Sequence, residues 1–333
     1  MRFPGLLAGV LALASPLVAF EVPTANQSLF EPNGGERFYV GTAGKPWTSG
    51  QFGCVRSDGH QLHEGLDVRC LHRDRRGEPT DAVQASAAGV VAYVNTRPSL
   101  SNYGKYVVVR HAVDGIEAHT LYAHLSAVAP GIAVGTAVKT GQTLATMGRT
   151  SNTRQSITRD RAHVHFEIDF RVSEHYAEWH RKNRGDTRND HGEFNGHNLL
   201  GIDPAAVLVE QRRLGNGFSL ARYLAAQPET LRVFVRDPGL SWARRLAGLV
   251  QRNPAAERGG VAGYEIHLAF NGAPLRIIPR SSSEVPGDAR FLLLGVNEAE
   301  WRSHPCCRLV VRHGTRWTPL PALEEWATLV TQR

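Results

Sequence analysis

RAHVHFEID, residues 161–169, is the stretch on which both fold and chemistry turn. As a strand it sends successive side chains to opposite faces, so His163, His165 and Glu167 share one side. Val164, Phe166 and Ile168 share the other, and that apolar row is what a core wants. The imidazole row is either functional or solvated, because each buried imidazole needs a hydrogen-bond partner. With 15 histidines in 333 residues, ~1 His-x-His pair arises by chance. The pair gains meaning only from residues that converge on it.

Working outward, residues 83–168 read as short strands broken by glycine turns. VQASAAGVVAYVN, GKYVVVRHA and AHTLYAHLS are enriched in β-branched and aromatic residues, with Gly131, Gly135, Gly141 and Gly148 as corners. This predicts a mainly β, antiparallel domain over 50–208, closed by LLGIDPAAVLVE. Residues 171–197 read as a polar excursion, part helix and part loop, with His175, His180, His191 and His197 facing solvent. A linker is expected over 209–224. Beyond it, PGLSWARRLAGLVQR and LPALEEWATLV have helical periodicity, while GYEIHLAFN, APLRIIP and CRLVVRH look like strands. Residues 225–333 are therefore expected to form a smaller α+β or mostly β domain, and no chemical constellation stands out there.

A formal charge of +7 suggests an acidic partner. Basic residues alternate with acidic ones rather than clustering, which argues against nucleic acid. MRFPGLLAGVLALASPLVAF resembles a secretory signal peptide over 1–19, followed by an N-terminal segment over 20–49. Export to the periplasm or cell envelope, or secretion, is the expectation. No second apolar stretch approaches spanning length, so no integral membrane segment is expected after cleavage. Four cysteines fit an exported chain. Cys54 and Cys70 are the favoured disulfide among three possible pairings, and Cys306 and Cys307 read as small buried hydrophobes.

Upstream of the opening stretch lies HEGLD, residues 63–67. His63, Asp67 and a second imidazole make a three-ligand zinc set with a fourth position left for water. LYAHLS then places His124 near a strand end. HxGxD, a glycine-cornered β segment, YAHLS and HxHFE in this order resemble the lysostaphin/LytM-like zinc endopeptidases of peptidoglycan, with the duplicated-hybrid-motif fold. YGKYVVVRHAVDG, AVKTGQTLATMG and GIDPAAVL extend the resemblance over roughly residues 50–208.

The resemblance implies one Zn2+ per chain, held by His63, Asp67 and His165, with His124 and His163 as catalytic histidines. One would take up a proton and the other donate to an oxyanion, in either assignment. It implies peptidoglycan peptides as substrate. Glu167 is either a carboxylate that orients a ligand imidazole or an exposed residue. Two insertions depart from the family pattern, VRCLHRDRRGEPTD after HEGLD and RTSNTRQSITRDRA before His163, and both are expected to border the cleft. The same scaffold without its metal residues serves as a non-catalytic cell-wall binding or amidase-activating module; this chain keeps all five. A lipoyl-type carrier modified at Lys139 would leave the histidines unexplained.

Overall fold

The computed structural model describes residues 20–154, 156–285 and 287–333, so the export segment expected over 1–19 lies outside the described residues. Strands β1 (Gly53–Arg56) and β2 (Gln61–His63) form a hairpin ahead of β3 (Leu66–Arg69). Next come β4 (Ala82–Gln84), β5 (Gly89–Asn95), β6 (Tyr106–Val113), β7 (Ile116–Ala123), β8 (Ala127–Val128), β9 (Ala137–Val138) and β10 (Thr143–Thr146). Strand β11 (His163–Arg171) and then β12 (Leu199–Ile202) complete the first half. The main sheet is antiparallel in the order β12-β11-β7-β6-β5-β9, while β4, β10 and β8 form a smaller sheet.

Strand β11 is the hub. Its first half pairs with β3, through His165 opposite Asp67, and its second half with β12, through Asp169 opposite Gly201. Along its other edge it pairs with β7, where His165 faces Ala123. Two strands can share one edge only if the turn between β2 and β3 tucks in closely. A Cβ on Gly65 would come within 2.3 Å of the Phe166 carbonyl oxygen, and one on Gly201 within 2.4 Å of that of Glu64. Glycine is what the crossing allows.

Val164, Phe166, Ile168 and Phe170 are fully buried in the main core, as the alternation predicts. The opposite face is buried too, which the sequence reading does not anticipate. Tyr106, Val108, Leu121, Ala123 and Leu199 pack there beneath Tyr93, Tyr103 and Phe194. The excursion over 171–197 supplies part of this roof. Its helix Tyr176–Asn183 buries Tyr176, Trp179 and His180. The expectation that all four of its histidines face solvent is corrected: His180 and His191 are buried.

The stretch expected as a linker, 209–224, is helical instead. Asp203 caps the helix Pro204–Leu214, accepting from the N–H groups of Ala205 and Ala206, with proline at the first position. A second helix, Leu220–Ala226, buries Leu220 and Leu224. Strands β13 (Leu231–Val235), β14 (Gly263–Leu268), β15 (Pro274–Arg280) and β16 (Phe291–Val296) form an antiparallel sheet in the order β15-β14-β13-β16, followed by the hairpin β17 (Val310–His313) and β18 (Arg316–Pro319). One apolar core runs through both halves. Trp242 packs on Trp326 at 5.6 Å and donates its indole N–H to the Val172 carbonyl at 2.7 Å.

The cysteine expectation is corrected. Cys54 is bonded to Cys306, 252 positions away, and Cys70 is a free buried thiol. Cys70 donates to Asp81 at 3.1 Å, and burial together with that carboxylate pushes the thiol up to about 11. The first insertion is thus tied down by a hydrogen bond, not a disulfide. It also locks onto the second insertion, through Arg73 to the Asp160 carbonyl and Glu78 to Arg149 and Arg159. Among the described residues, no helix is long and apolar enough to cross a membrane.

Candidate metal centre

Pairing β3 with β11 sets Asp67 beside His165, and the tucked Gly65 turn brings His63 to the same point. His165 Nδ1 lies 3.0 Å from Asp67 Oδ1, and His63 Nε2 lies 3.2 Å from that oxygen and 3.1 Å from His165 Nδ1. All three side chains are buried. Among the described residues they are the one group of this kind that could hold a metal ion.

Each ring is held by its other nitrogen. His63 Nδ1 donates to the Gln51 carbonyl at 2.7 Å, which leaves Nε2 bare. His165 Nε2 lies 2.6 Å from Glu167 Oε1, which directs Nδ1 at the shared point. Glu167 is buried and takes a further bond from the Tyr103 hydroxyl at 2.8 Å. Of the two roles open to Glu167, the geometry matches the orienting one, as carboxylates behind metal-ligating histidines do. A donor set of two aimed imidazoles and one carboxylate fits a divalent transition metal.

His124 and His163 complete the cluster without joining the triad. Their rings are 4.9 Å apart, and His124 is 5.9 Å from His165. His124 Nδ1 donates to the Thr150 carbonyl at 2.9 Å and His163 Nδ1 to that of Arg161 at 2.6 Å. A carbonyl only accepts, so proton exchange falls to Nε2 of each ring; that of His163 lies 3.4 Å from Asp67 Oδ1. His124 has φ 61°, a left-handed conformation rare for a residue with a side chain. Gly148 permits it, because a Cβ there would lie 2.3 Å from Ser126 N and 2.6 Å from the His124 carbonyl oxygen.

Burial dominates the electrostatics. It holds His124 well below the usual imidazole range, reinforced by His163 and His165. Burial also lowers His63, against the pull of Asp67. For Asp67 burial opposes ionisation, yet the surrounding imidazoles keep it well below the carboxylate range. For His165 burial opposes a charge, and the bonds to Asp67 and Glu167 overcome it, raising the ring to about 10. That proton occupies the nitrogen a metal would take, so metal uptake must release it.

Three contributors escaped the sequence reading. Arg56 donates to Asp67 Oδ2 at 2.6 Å; nothing in GCVR marks it. Tyr103 and the Gln51 carbonyl also lacked a signal. Behind the centre, His119 and Asp169 face each other across β7 and β11, both fully buried. Burial and the neighbouring Glu167 push Asp169 well above the carboxylate range.

The cluster opens into a cleft of ≈ 1270 Å³. Thr42 to Ser49 form one wall, Leu100 to Tyr103 and Ser151 to Thr153 another, and Arg184 to His197 a third. Of the two insertions only the second borders it. The expectation for the first is corrected, since it packs behind the second.

No curated protein matches the chain. Among solved structures it is similar to Csd3 of Helicobacter pylori, at 22% identity and a TM-score of 0.29, over 45% of this chain and 29% of that one. It is similar to a putative glycyl-glycine endopeptidase lytM from Ruminococcus gnavus, at 21% and 0.30, over 45% and 47%. It is also similar to the catalytic domain of lysostaphin from Staphylococcus simulans, at 18% and 0.32, over 56% and 98%. The chain spans less than half the length of the first two. Residues 61–177 match the family model of Peptidase family M23. That span contains His63, Asp67, His124, His163 and His165, and over it the chain is similar to the peptidases of family M23.

Proposed function

We propose that this protein is a zinc-dependent endopeptidase that hydrolyses peptide bonds in the cross-links or stem peptides of bacterial peptidoglycan. The observation that carries the reading is the meeting of His63, Asp67 and His165 within 4.8 Å, beside two further imidazoles whose Nδ1 atoms are each bonded to a backbone carbonyl. His63, Asp67 and His165 are the residues that would hold one zinc ion. When bound, zinc supplies Lewis acidity and brings water ionisation towards pH 7.

The remaining steps belong to the side chains. His124 and His163 share two tasks at their Nε2 atoms: one, in its neutral form, takes the proton of the attacking water, and the other, carrying protons on both nitrogens, donates to the oxygen on which charge develops. Low basicity suits the neutral form of His124, which can accept a proton at neutral pH. A fixed donor to the oxyanion contributes on the order of 3 kcal/mol. Glu167 and Arg56 keep the ligands aimed. The reading places the protein outside the cytoplasm, in the periplasm or envelope, where its substrate lies and where the Cys54–Cys306 bond persists.

The test is digestion of purified sacculi by the zinc-loaded chain, followed by mass analysis of the muropeptides. New amino groups and shortened peptides are expected. His165→Ala should lose zinc and activity together, whereas His124→Ala should keep zinc and lose turnover by about 100-fold or more. A zinc-loaded chain that releases nothing would reject the proposal.

A further inference from the structure

The cleft presents five cationic side chains, Lys45, Arg56, Arg161, Arg184 and Arg188. Four are already paired: Lys45 with Asp58, Arg56 with Asp67, Arg184 with Glu325 and Arg188 with Asp190. Arg161 is the exception. It has no carboxylate partner among the described residues, and its one protein bond runs from Nε to the Gly41 carbonyl at 3.0 Å. Both terminal nitrogens of its fork remain available to a ligand.

Its position is fixed from two sides. The Arg161 carbonyl accepts from His163 Nδ1 at 2.6 Å, and the Nε bond ties the half-buried guanidinium to the wall formed by the N-terminal segment. A restrained guanidinium with two free donors is matched in shape and charge by a carboxylate. Glu64 lines the same cleft without an ion pair among the described residues. The β3–β11 ladder runs from His163 opposite Arg69 to Phe166 opposite Leu66. Arg161 therefore lies beyond one end and Glu64 beyond the other, about 23 Å apart along the chain direction at the strand repeat, with Asp67 and His165 between them. A peptide lying across the triad meets a cation on one side and an anion on the other.

We infer that Arg161 is a carboxylate-binding subsite, and that the substrate is an acidic peptide with a free carboxylate on one side of the bond to be cut. A neutral polyglycine bridge would leave this fork without a partner. The inference rests on the peptidase reading above and narrows its substrate class.

The experiment compares the zinc-loaded full chain on three synthetic substrates: a stem peptide with free carboxylates, the same peptide amidated, and pentaglycine. The free acid should be preferred over the amide by about 10- to 100-fold in kcat/KM, chiefly through KM. Arg161→Gln should bring that ratio close to one, and Arg161→Lys should restore part of it. A merely structural role for Arg161 would lower both rates alike and leave the ratio in place. Equal cleavage of acid and amide by the unaltered chain, or efficient cleavage of pentaglycine, would overturn the inference. If no peptide is hydrolysed, the peptidase reading fails. The subsite then stands or falls on equilibrium binding of the acid and amide peptides, where equal affinity overturns it.

Discussion

Arg56 donates from Nη2 to Asp67 Oδ2 at 2.6 Å, leaving Oδ1 as the oxygen that faces His63, His163 and His165. The carboxylate is thereby presented through one atom instead of two. Arg56→Ala should free the second oxygen, let the group rotate and cost about 10- to 100-fold in kcat/KM. Peptide hydrolysis measured alongside bound zinc checks this. Unchanged rates would mean that Asp67 is held by packing alone.

Gly148 stands where a methyl group would strike the backbone of His124 and Ser126. Gly148→Ala should displace the left-handed turn at His124. A loss of about 1–3 kcal/mol in stability is expected, with a loss of turnover far larger than that fall in stability explains. Denaturant unfolding and kinetics on one preparation separate the two effects.

The Cys54–Cys306 bond spans 252 positions. In the chain-entropy model a loop of that size contributes about 5 kcal/mol, so reduction should lower the melting temperature by on the order of 10 °C. Peptide mapping without reductant should recover Cys54 joined to Cys306, with Cys70 and Cys307 open to alkylation after unfolding. A Cys54–Cys70 fragment would contradict the fold.

His111 is buried, with Nδ1 2.8 Å from the Ala88 carbonyl and Nε2 2.8 Å from the Thr120 hydroxyl. Burial depresses its pKa from 6.5 to about 4. Between those values the unfolded chain binds a proton that the folded chain refuses. Stability is therefore full above pH 6.5, falls as pH drops and has lost this contribution, on the order of 3 kcal/mol, by pH 4. His111→Gln should flatten that part of the pH–stability curve, as read by urea unfolding at pH 7, 5.5 and 4.

Much of the centre was legible because its signals are local. HEGLD, YAHLS and HVHFE each fix a spacing, and period-two alternation alone assigns Val164, Phe166 and Ile168 to the core. What escaped depends on contacts between distant segments. Arg56 and the Gln51 carbonyl reach the centre only because the β1–β2 hairpin folds over it. Cys54 found Cys306 because that hairpin also abuts the C-terminal half. His180 and His191 looked solvated because no periodicity announces that a polar excursion will roof a sheet. The 209–224 stretch looked like a linker because Arg212, Arg213 and the run Gly215-Asn216-Gly217 break its apolar pattern, yet Phe218, Leu220 and Leu224 go into a shared core.

The two imidazoles of the triad approach it by unequal arms. His165 uses Nδ1, the ring nitrogen nearer its own backbone, while His63 uses Nε2, the farther one. A short arm passes on nearly every displacement of its strand, whereas a long one absorbs movement through side-chain rotation. Strand β11 thus acts as the fixed origin of the centre, and the hairpin bearing His63 has freedom to adjust to it. Substitutions that shift Phe166 or Ile168 by a fraction of an ångström should therefore disturb metal affinity more than equal shifts around Leu62.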